Sequence, residues 1–309
     1  MHPEVTDHTR SPIRDVSALG GSCWDYLALV SAYPALDEKV AITQFSTQGG
    51  GRAGTAAAAV GRLGGSVAIF ARVGDDSFGA EIRRGFEADG VDTRWLMEVP
   101  GARSHFAFCV VDQPTGKRTI FYDHGTKGRF SEEDLDREAL LNCRCLLTDS
   151  HHEEVSVAAA RWAQEAGVPV VLDLERPKPC NETLLEASTY PIVPADYAMA
   201  LTGAATVEAA GREMLRRGPQ VAILTSGSRG AWAITAEGVI HQPAVRVDPI
   251  VDTTGAGDVF HGAFAYGVAL GYDLPTNLRF AATVAALKCR KLGGRAGIPT
   301  MDEVQALMG

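Results

Sequence analysis

The sequence predicts an α/β protein with a mostly parallel central sheet that is flanked by helices. Three observations support this class. From residue 145 onward, short apolar runs alternate with helical patterns, as in βαβ units. These runs are nearly continuous in apolar residues, which is typical of strands that are buried on both faces. The first half carries additional Thr-, Val- and Phe-rich strand patterns that do not fit the alternation and indicate a second, smaller sheet.

The N-terminal part begins with a polar segment. Residues 1–15 contain two prolines and few apolar side chains, so we expect a flexible tail ahead of one folded unit at 16–309. Residues 16–19 are predicted to form a first strand that ends at a Gly-Gly pair. Residues 52–63 are rich in alanine and are followed by two more glycines, which predicts a helix with a glycine stop.

Two segments of the first half carry the additional strand patterns. Residues 38–48 and 104–122 show them most clearly, and a polar turn at 112–117 divides the second segment. We expect lid strands from about 26–48 and 104–124 that form a small separate sheet. That sheet would lie over the carboxyl ends of the main strands, where α/β proteins bind ligands.

The second half alternates regularly between strand and helix patterns, and no internal repeat or low-complexity linker divides it. The predicted elements are strand 145–148, helix 155–166, strand 168–174, strand 190–193, helix 207–217 and strand 221–225.

Composition narrows the classes of function. The 309-residue chain has a formal net charge of −9, which argues against a nucleic-acid partner because phosphate backbones require a clustered positive face. No stretch approaches the roughly 20 apolar residues that span a bilayer, so we expect no membrane partner. Six scattered cysteines fit small buried hydrophobes in a reducing cytoplasm, and Cys143 and Cys145 lack the second pair that a zinc site needs.

Residues 251–264 carry the most chemical information. Gly255 and Gly257 let backbone N–H groups converge around Ala256, because no Cβ restricts φ at a glycine. A helix is predicted to follow at once, so its free N–H groups and positive dipole end face the same point. That arrangement holds an anion such as a nucleotide phosphate. Asp258, at the rim, is placed to accept the proton of a hydroxyl that attacks the terminal phosphate.

Other interpretations of this segment stay open on the residues alone. A glycine-rich loop can simply cap a core helix, with Asp258 as an ordinary first-turn carboxylate. The chain has no Gly-x-x-x-x-Gly-Lys-Ser/Thr run, which excludes a P-loop ATPase. It also has no Gly-x-Gly-x-x-Gly run after the first strand, which disfavours a Rossmann dehydrogenase.

Several stretches resemble signatures of one family. Asp-Thr-Thr-Gly-Ala-Gly-Asp-Val-Phe at 252–260 resembles the C-terminal signature of the PfkB (ribokinase) family of carbohydrate kinases, and residues 50–64 resemble its N-terminal signature. The similarity extends from 20 to 308 and includes Arg-Val-Gly-Asp-Asp at 72–76. It implies a ribokinase-like fold with a sheet of about eight or nine strands and a small β lid. It also implies ATP and Mg²⁺ as reaction partners and Asp258 as the catalytic base.

The resemblance further implies a sugar site. Asp25 matches a sugar-binding aspartate, whose carboxylate would accept two adjacent hydroxyls. Gly50 and Gly51 would let the backbone approach the sugar, with Arg52 beside them. Thr55 stands where most relatives have Asn, so the sugar contacts would differ from those of ribokinase. The remaining sugar-site candidates are Lys39, Asp37, Tyr122 and His151.

A nucleotide site is implied in the same way. Glu175 would help to orient Mg²⁺ through water, and a monovalent cation is allowed near Asp252. Ala195 and Ala198 replace an Asn and a Glu that organise Mg²⁺ in many relatives, so the nucleotide itself would hold the metal. The candidate nucleotide contacts are Thr225, Gly227, Thr254, Gly255, Gly257, Ala282 and Ala286, of which the two alanines serve equally well as core residues.

The identity of the sugar stays open between two branches of the family. The C-terminal third looks most like sulfofructose kinase, and Lys39 matches its anion-binding lysine, although His151 and Tyr122 replace an Arg and an Asn. Residues 116–123 and 175–177 look like ketohexokinase, in which a lid carboxylate at the place of Asp37 reaches the neighbouring subunit's sugar. We therefore expect phosphorylation of a primary hydroxyl of a ketohexose, or of a 6-substituted fructose such as sulfofructose.

Two other functions compete with this one. A nucleoside kinase of the same family would stack a base under the lid, but the sequence shows no aromatic pair for that purpose. A non-catalytic sugar- or nucleotide-binding pseudokinase is favoured by Ala195 and Ala198 and opposed by the intact Asp25 and Asp258. Because the lid strands would leave exposed edges in a monomer, we expect a cytoplasmic homodimer that forms through the β lid.

Overall fold

The computed structural model describes residues 12–309, so most of the expected tail at 1–15 lies outside the described residues. Strand β1 begins at Arg14, two residues earlier than predicted. The reason is that Arg14 pairs with Cys143 in the sheet, and its guanidinium donates a hydrogen bond to the hydroxyl of Ser17. Sequence patterning missed this start because a charged residue opens the strand.

Fourteen strands and ten helices make up the described chain. The strands are β1 Arg14–Leu19, β2 Cys23–Val30, β3 Ile42–Gly50, β4 Val67–Gly74, β5 Val91–Asp92, β6 Leu96–Val99, β7 Phe106–Asp112, β8 Arg118–Asp123, β9 Cys143–Asp149, β10 Val170–Asp173, β11 Tyr190–Pro194, β12 Ala222–Thr225, β13 Ala231–Ile234 and β14 Val239–Gln242. The helices are α1 Arg52–Arg62, α2 Ser77–Ala88, α3 Arg137–Leu141, α4 Glu153–Glu165, α5 Asn181–Ala187, α6 Ala195–Thr202, α7 Val207–Leu215, α8 Ala256–Ala269, α9 Leu274–Lys288 and α10 Met301–Met308.

The central sheet has ten strands, in the order β14-β13-β12-β11-β10-β9-β1-β4-β5, with β6 also paired to β4. The pairs between β12 and β5 are parallel, and β13 and β14 add an antiparallel edge. The sheet is larger than the eight or nine strands expected, because residues 91–99 add two short strands against β4. These strands are too short to leave a pattern in the sequence.

Helices cover both faces of this sheet. Helices α1, α2 and α8–α10 pack on one face and α3–α7 on the other. Strand β10 shows how the sequence specifies both layers: Val171 enters the first core, whereas Val170 and Leu172 enter the second. Successive side chains of a strand point to opposite faces, so a strand buried on both sides must be apolar throughout. The predicted α/β class is confirmed.

Close packing of α1 against α8 positions the two helix starts. Gly262 lies so near α1 that a Cβ added there would meet the carbonyl oxygen of Ala56 at 2.2 Å. The alanines of α1 are fully buried in this contact. The two helices therefore approach with almost no side chain between them, which brings both N-termini to the same edge of the sheet.

The predicted lid is a separate four-stranded sheet in the order β3-β2-β7-β8. The central pair β2–β7 is parallel, and the two outer pairs are antiparallel. Leu27, Leu29, Cys109 and Val111 form its small core together with Leu292. Strand β2 starts at Cys23, earlier than the predicted 26, because Gly20-Gly21-Ser22 is the whole connection from β1. Asp25 thus belongs to the lid and does not lie in a turn after the first strand.

The described residues contain neither a membrane-spanning helix nor a cluster of metal-binding side chains. Within residues 12–309, no helix is long and apolar enough to cross a membrane. Over the same residues, no group of three His, Cys, Asp or Glu side chains is arranged to hold a metal ion.

Candidate active site

The carboxyl ends of the central strands and the first turns of α1 and α8 meet at one edge of the sheet. Asp149 ends β9, Asp173 ends β10, and Arg52 is the first residue of α1. Gly21 and Gly51 provide the backbone between them. Parallel strands place their carboxyl ends together, so residues that are distant in sequence converge here.

Asp149 holds the backbone of this edge in place. Its carboxylate accepts hydrogen bonds from the N–H groups of Gly21 at 3.0 Å, Ala53 at 3.2 Å and His151 at 2.7 Å. Burial opposes its ionisation, but Arg52, His151 and the backbone donors outweigh burial and lower the pKa of Asp149. A buried, ionised and fully bonded carboxylate is well suited to fix a loop rather than to exchange protons.

Arg52 lies at the centre of a group of carboxylates. Its guanidinium is 3.5 Å from the carboxylate of Asp173 and 3.7 Å from that of Glu175, and its side chain is only 15% exposed. Burial favours the neutral form, yet the surrounding carboxylates raise the pKa of Arg52. Nη1 has no hydrogen-bond partner within residues 12–309. Nη1 is buried and is the guanidinium atom nearest the Asp173 carboxylate, so the arginine is committed to its carboxylate neighbours.

Asp258 lies in the first turn of α8, beside the same group. Gly255 caps the helix in the left-handed conformation with φ 73°, which permits the tight entry that a side chain would strain. Burial first, then the nearby carboxylates of Asp173 and Glu175, raise the pKa of Asp258 well above its usual range, while Arg52 opposes the rise. A carboxylate with a raised pKa can accept a proton near neutral pH.

A polar cavity of about 580 Å³ opens on one side of this group. Its lining is rich in cationic and histidine side chains, which come from the strand ends, the lid and the segment 124–129. The lining residues are Gly21, Gly51, Arg52, His105, His124, Gly125, Lys127, Gly128, Arg129, Asp149, His151, Glu153, Glu175, Arg176, Pro177 and Lys178.

An apolar cleft of about 290 Å³ opens on the other side of the α8 N-terminus. Three alanines of α9 line it, together with residues of the segment 244–250. The lining residues are Thr225, Gly227, Ser228, Gly230, Ala231, Ala244, Val245, Val247, Ile250, Thr253, Ala256, Gly257, Phe260, Ala282, Ala285, Ala286 and Cys289. The apolar lining suits a flat aromatic base, and an anionic group attached to that base would lie near the free N–H groups of α8.

Comparison with known proteins identifies this arrangement. The model of the pfkB family of carbohydrate kinases matches residues 15–301. The chain belongs to this family. It is therefore a phosphotransferase whose acceptor is an alcohol group of a sugar. Among its relatives, the ribokinase of Bacillus subtilis (strain 168) is 28% identical over 305 residues, which cover 96% of this chain and 100% of that protein.

Solved structures agree with this assignment. A provisionally assigned ribokinase from Agrobacterium tumefaciens is 31% identical, with a TM-score of 0.89 over 96% of this chain and 97% of that one. The ribokinase of Arabidopsis thaliana, solved in complex with ribose and ATP, shares the fold at 23% identity, with a TM-score of 0.83 over 96% and 98% of the two chains.

Three of the predicted sugar-site residues line the polar cavity, whereas Asp25 and Gly50 lie against each other outside its lining. Asp25 is buried, and a Cβ added at Gly50 would meet its carboxylate at 2.0 Å, so only glycine fits beside it. Its Oδ1 accepts a hydrogen bond from the Cys23 thiol at 3.0 Å, and burial raises its pKa. Gly51, Arg52 and His151 line the polar cavity. Thr55 is buried inside α1 and does not line it.

The lid residues expected at the sugar are placed differently. Asp37 and Lys39 lie in the exposed connection between β2 and β3, and neither lines the polar cavity of its own chain. Val30 pairs with Ile42 at that end of the lid, whereas Asp25 pairs with Gln48 near the site. Tyr122 is 55% exposed on β8, and its ring centroid lies 4.8 Å from that of His124.

The nucleotide-side predictions are placed as follows. Thr225, Gly227, Ala256, Gly257, Ala282 and Ala286 line the apolar cleft. Gly255 is the α8 N-cap, and Thr254 is buried behind it. Glu175 pairs with Arg52. Ala195 and Ala198 are buried in the core between the sheet and α3–α7, so they face packed side chains.

The surroundings of Asp252, where a monovalent cation was expected, are occupied by hydrogen-bonding groups of the chain. Its carboxylate accepts hydrogen bonds from Thr254 and from the Gly293 N–H. The ammonium of Lys288 donates to the Asp252 carbonyl oxygen at 2.9 Å. A positive group therefore already contacts the backbone of Asp252, near the place expected for the ion.

One part of the cavity, which we call the histidine wall, consists of His105, His124, His151 and Lys127, and sequence reasoning predicted only His151 of these. The rings of His105 and His151 are stacked at 6.1 Å, and His124 lies 4.9 Å from His105. Lys127 is only 3% exposed and donates to the carbonyl oxygen of His124. Except for His151, these residues belong to no motif. His105 immediately precedes β7, whereas His124 and Lys127 follow β8, and only the fold brings them together.

Proposed function

We propose that this pfkB kinase transfers the γ-phosphate of ATP to a primary hydroxyl of a sugar bound in the polar cavity. The position of Asp258 is the observation that supports the proposal most strongly. Its carboxyl lies at the start of α8, with the apolar cleft on one side and the group of Arg52, Asp173 and Glu175 on the other. The Arabidopsis ribokinase named above was solved with ribose and ATP, which supports the same two ligands here.

The proposed reaction is an in-line transfer. Asp258 takes the proton of the sugar hydroxyl while that oxygen bonds to the γ-phosphorus, and the bond from phosphorus to the bridging oxygen of ADP breaks. The N–H groups of Ala256 and Gly257 stabilise the charge on the transferred group. Arg52, held between Asp173 and Glu175, would contribute positive charge near the transferred phosphate. Arg52 already lies between the carboxylates of Asp173 and Glu175, so these would not bind Mg²⁺ directly. The metal would instead arrive bound to the nucleotide, where it would neutralise phosphate charge.

The histidine wall, in which Lys127 is the cation, bears on the choice of sugar. Burial, with Lys127 and His124 nearby, lowers the pKa of His105 to about 3, so its ring is neutral at pH 7. Lys127 is buried beside three neutral rings and would gain a partner if the sugar carried an anionic group. The relatives named above are ribokinases, which favours a pentose over a ketohexose. The wall favours a substrate with an acidic substituent, such as a sugar phosphate, sugar acid or sulfonate.

A panel of sugars tests both parts of the proposal. Purified protein is given ATP, Mg²⁺ and each of ribose, deoxyribose, fructose, sulfofructose, fructose phosphate, a sugar acid and adenosine, and ADP release is measured. We expect at least a tenfold higher kcat/KM for an acidic sugar than for its neutral counterpart. Lys127→Met should remove that preference, whereas Lys117→Met, at an exposed lid turn, should not.

The outcomes separate the competing functions. Turnover of a neutral pentose alone would retain the kinase and reject the acidic substituent, and preference for adenosine would indicate a nucleoside kinase. Binding of sugar or nucleotide by calorimetry with no turnover of any panel member would indicate a binding protein with a kinase fold.

We also propose that two chains associate through the lid. Its edge strands β3 and β8 expose Ile42, Phe45, Ile120, Phe121 and Tyr122, each at least 45% accessible. Unpaired strand edges with apolar side chains favour association with a second sheet. A second copy would also explain Asp37 and Lys39, which do not reach the cavity of their own chain.

Sedimentation velocity checks this association. The 32.8 kDa chain is expected to sediment as a dimer, and Phe121→Asp should convert it to a monomer with lower activity. Leu307→Asp, at an exposed leucine of α10, is the matched control and should leave the dimer intact. A monomeric native protein would reject the proposal.

A further inference from the structure

Lys288 is a fully buried lysine that the proposed reaction does not use directly. It ends α9 with no solvent exposure, and its Nζ donates to the Asp252 carbonyl oxygen at 2.9 Å. Lysine is almost never fully buried unless it is paired. Burial lowers the pKa of Lys288, and the carboxylate of Asp252 is the strongest influence that opposes that effect. The C-terminal end of a helix also favours a cation.

The segment around Asp252 holds the start of α8, with its free N–H groups, in place. Its carboxylate accepts from Thr254 on one side and from Gly293 on the other, at 2.7–2.8 Å. The Val251 N–H donates to the carbonyl of Cys289, the residue after Lys288, at 2.8 Å. Gly255 packs so tightly on Gly294 that an added Cβ would come within 2.8 Å of its Cα. The position of the α8 N-terminus therefore depends on the segment that Lys288 holds.

We propose that the ammonium of Lys288 is a built-in cation that positions the 252–257 loop, and that the kinase consequently needs no monovalent metal ion. The ammonium binds a backbone carbonyl oxygen, as a potassium or sodium ion would, and it cannot dissociate. A second cation at the same oxygen would be repelled by the first. The kinetic part of this inference rests on the proposed kinase function, whereas the ion-binding part does not.

The native protein provides the first test. ATP turnover is measured in a buffer whose only cation besides Mg²⁺ is a bulky organic ammonium, and potassium or sodium chloride is then added to about 0.1 M. We expect activity to change less than twofold, and the melting temperature to be the same with either metal salt as with the organic salt at equal ionic strength. A tenfold activation, or a potassium-specific rise in melting temperature, would overturn the proposal.

Variants provide the second test. Lys288→Ala should lower kcat by at least tenfold with a smaller effect on the KM for the sugar, and potassium or ammonium chloride should restore part of the activity. The same ions should raise the melting temperature of this variant and not that of the native protein. Lys291→Ala, at an exposed neighbouring lysine, is the control and should show neither effect.

The remaining outcomes are also decisive. If Lys288→Ala folds and loses activity but no monovalent ion restores activity or melting temperature, the lysine is a packing residue and the proposal fails. If that variant does not fold, Lys288→Arg keeps the charge and should stay insensitive to potassium. Should no sugar be phosphorylated by the native protein, the proposed function fails, and the melting temperatures still decide the ion question.

Discussion

Asp258→Asn is expected to lower kcat by about 10²–10⁴-fold, the range that a positioned general base contributes. The KM values for sugar and ATP should change only a few-fold, because asparagine has nearly the same shape and still hydrogen-bonds. In the native protein, kcat should rise with pH through the raised pKa of Asp258, since only the ionised carboxylate accepts the proton. The variant should lose that rise. Steady-state kinetics across pH measures both effects.

Asp196→Asn is the matched control for this change. Asp196 also lies in the first turn of a helix, α6, but its side chain is 86% exposed and far from the α8 loop in sequence. It should leave kcat unchanged. A residual kcat for Asp258→Asn within threefold of the native value would show that another group accepts the proton.

Asp258→Asn should also stabilise the folded protein at neutral pH. The folded-state pKa of Asp258 is raised, so the protonated carboxyl is the form that folding favours. The stability that this preference contributes is complete below the unfolded pKa and is lost as pH rises through the folded pKa. Asparagine removes that loss, so the variant should melt at a higher temperature than the native protein at pH 7–8. The difference should vanish near pH 3, where the aspartate is protonated in both states.

Part of this site could be predicted from the sequence because it is continuous in the chain. The stretch 252–258 holds the N-cap glycine, the free N–H groups and Asp258 within seven residues, and helix geometry alone brings them together. The strands of the second half were predictable for a similar reason, because burial on both faces leaves continuous apolar runs such as 170–172. Short edge strands such as β5 and β6 leave no such run, and they were missed.

The remainder of the site depends on contacts between distant segments. His105 and Lys127 lie on either side of strand β8 and meet His151 only after the lid folds over the sheet. Lys288 looks in sequence like a solvated cation at a helix end, which is the commonest role for a lysine there. Its burial follows from the approach of the 289–295 segment, which no local pattern encodes. Lys39 shows the converse, because motif matching placed it at a sugar site whose cavity it does not line in its own chain.

Arg52→Met is expected to have the second largest effect, because it removes a buried cation from a group of carboxylates. Arg52 lies 3.5 Å from Asp173 and 3.7 Å from Glu175, and it opposes the rise in the pKa of Asp258. Without it, the pKa of Asp258 should rise further, so the acid limb of the kcat profile should move to higher pH by about one unit or more, a shift within the range that one nearby charge produces. kcat at pH 7 should fall by about tenfold or more, since a shift of one pKa unit is a tenfold change in the ionised fraction.

Arg52→Lys separates charge from geometry in this prediction. Lysine keeps the positive charge but cannot pair with two carboxylates through a planar fork, so it should preserve the position of the acid limb while weakening binding of the phosphates. The free energy of unfolding should depend on pH through the same charged groups. Removing one partner of a buried ion pair costs about 3–5 kcal/mol, and that cost for Arg52→Met should shrink as pH falls and the carboxylates become protonated. If both variants shift the acid limb equally, the positive charge of Arg52 does not control Asp258, and its role is confined to holding the ends of β10 and α1 together.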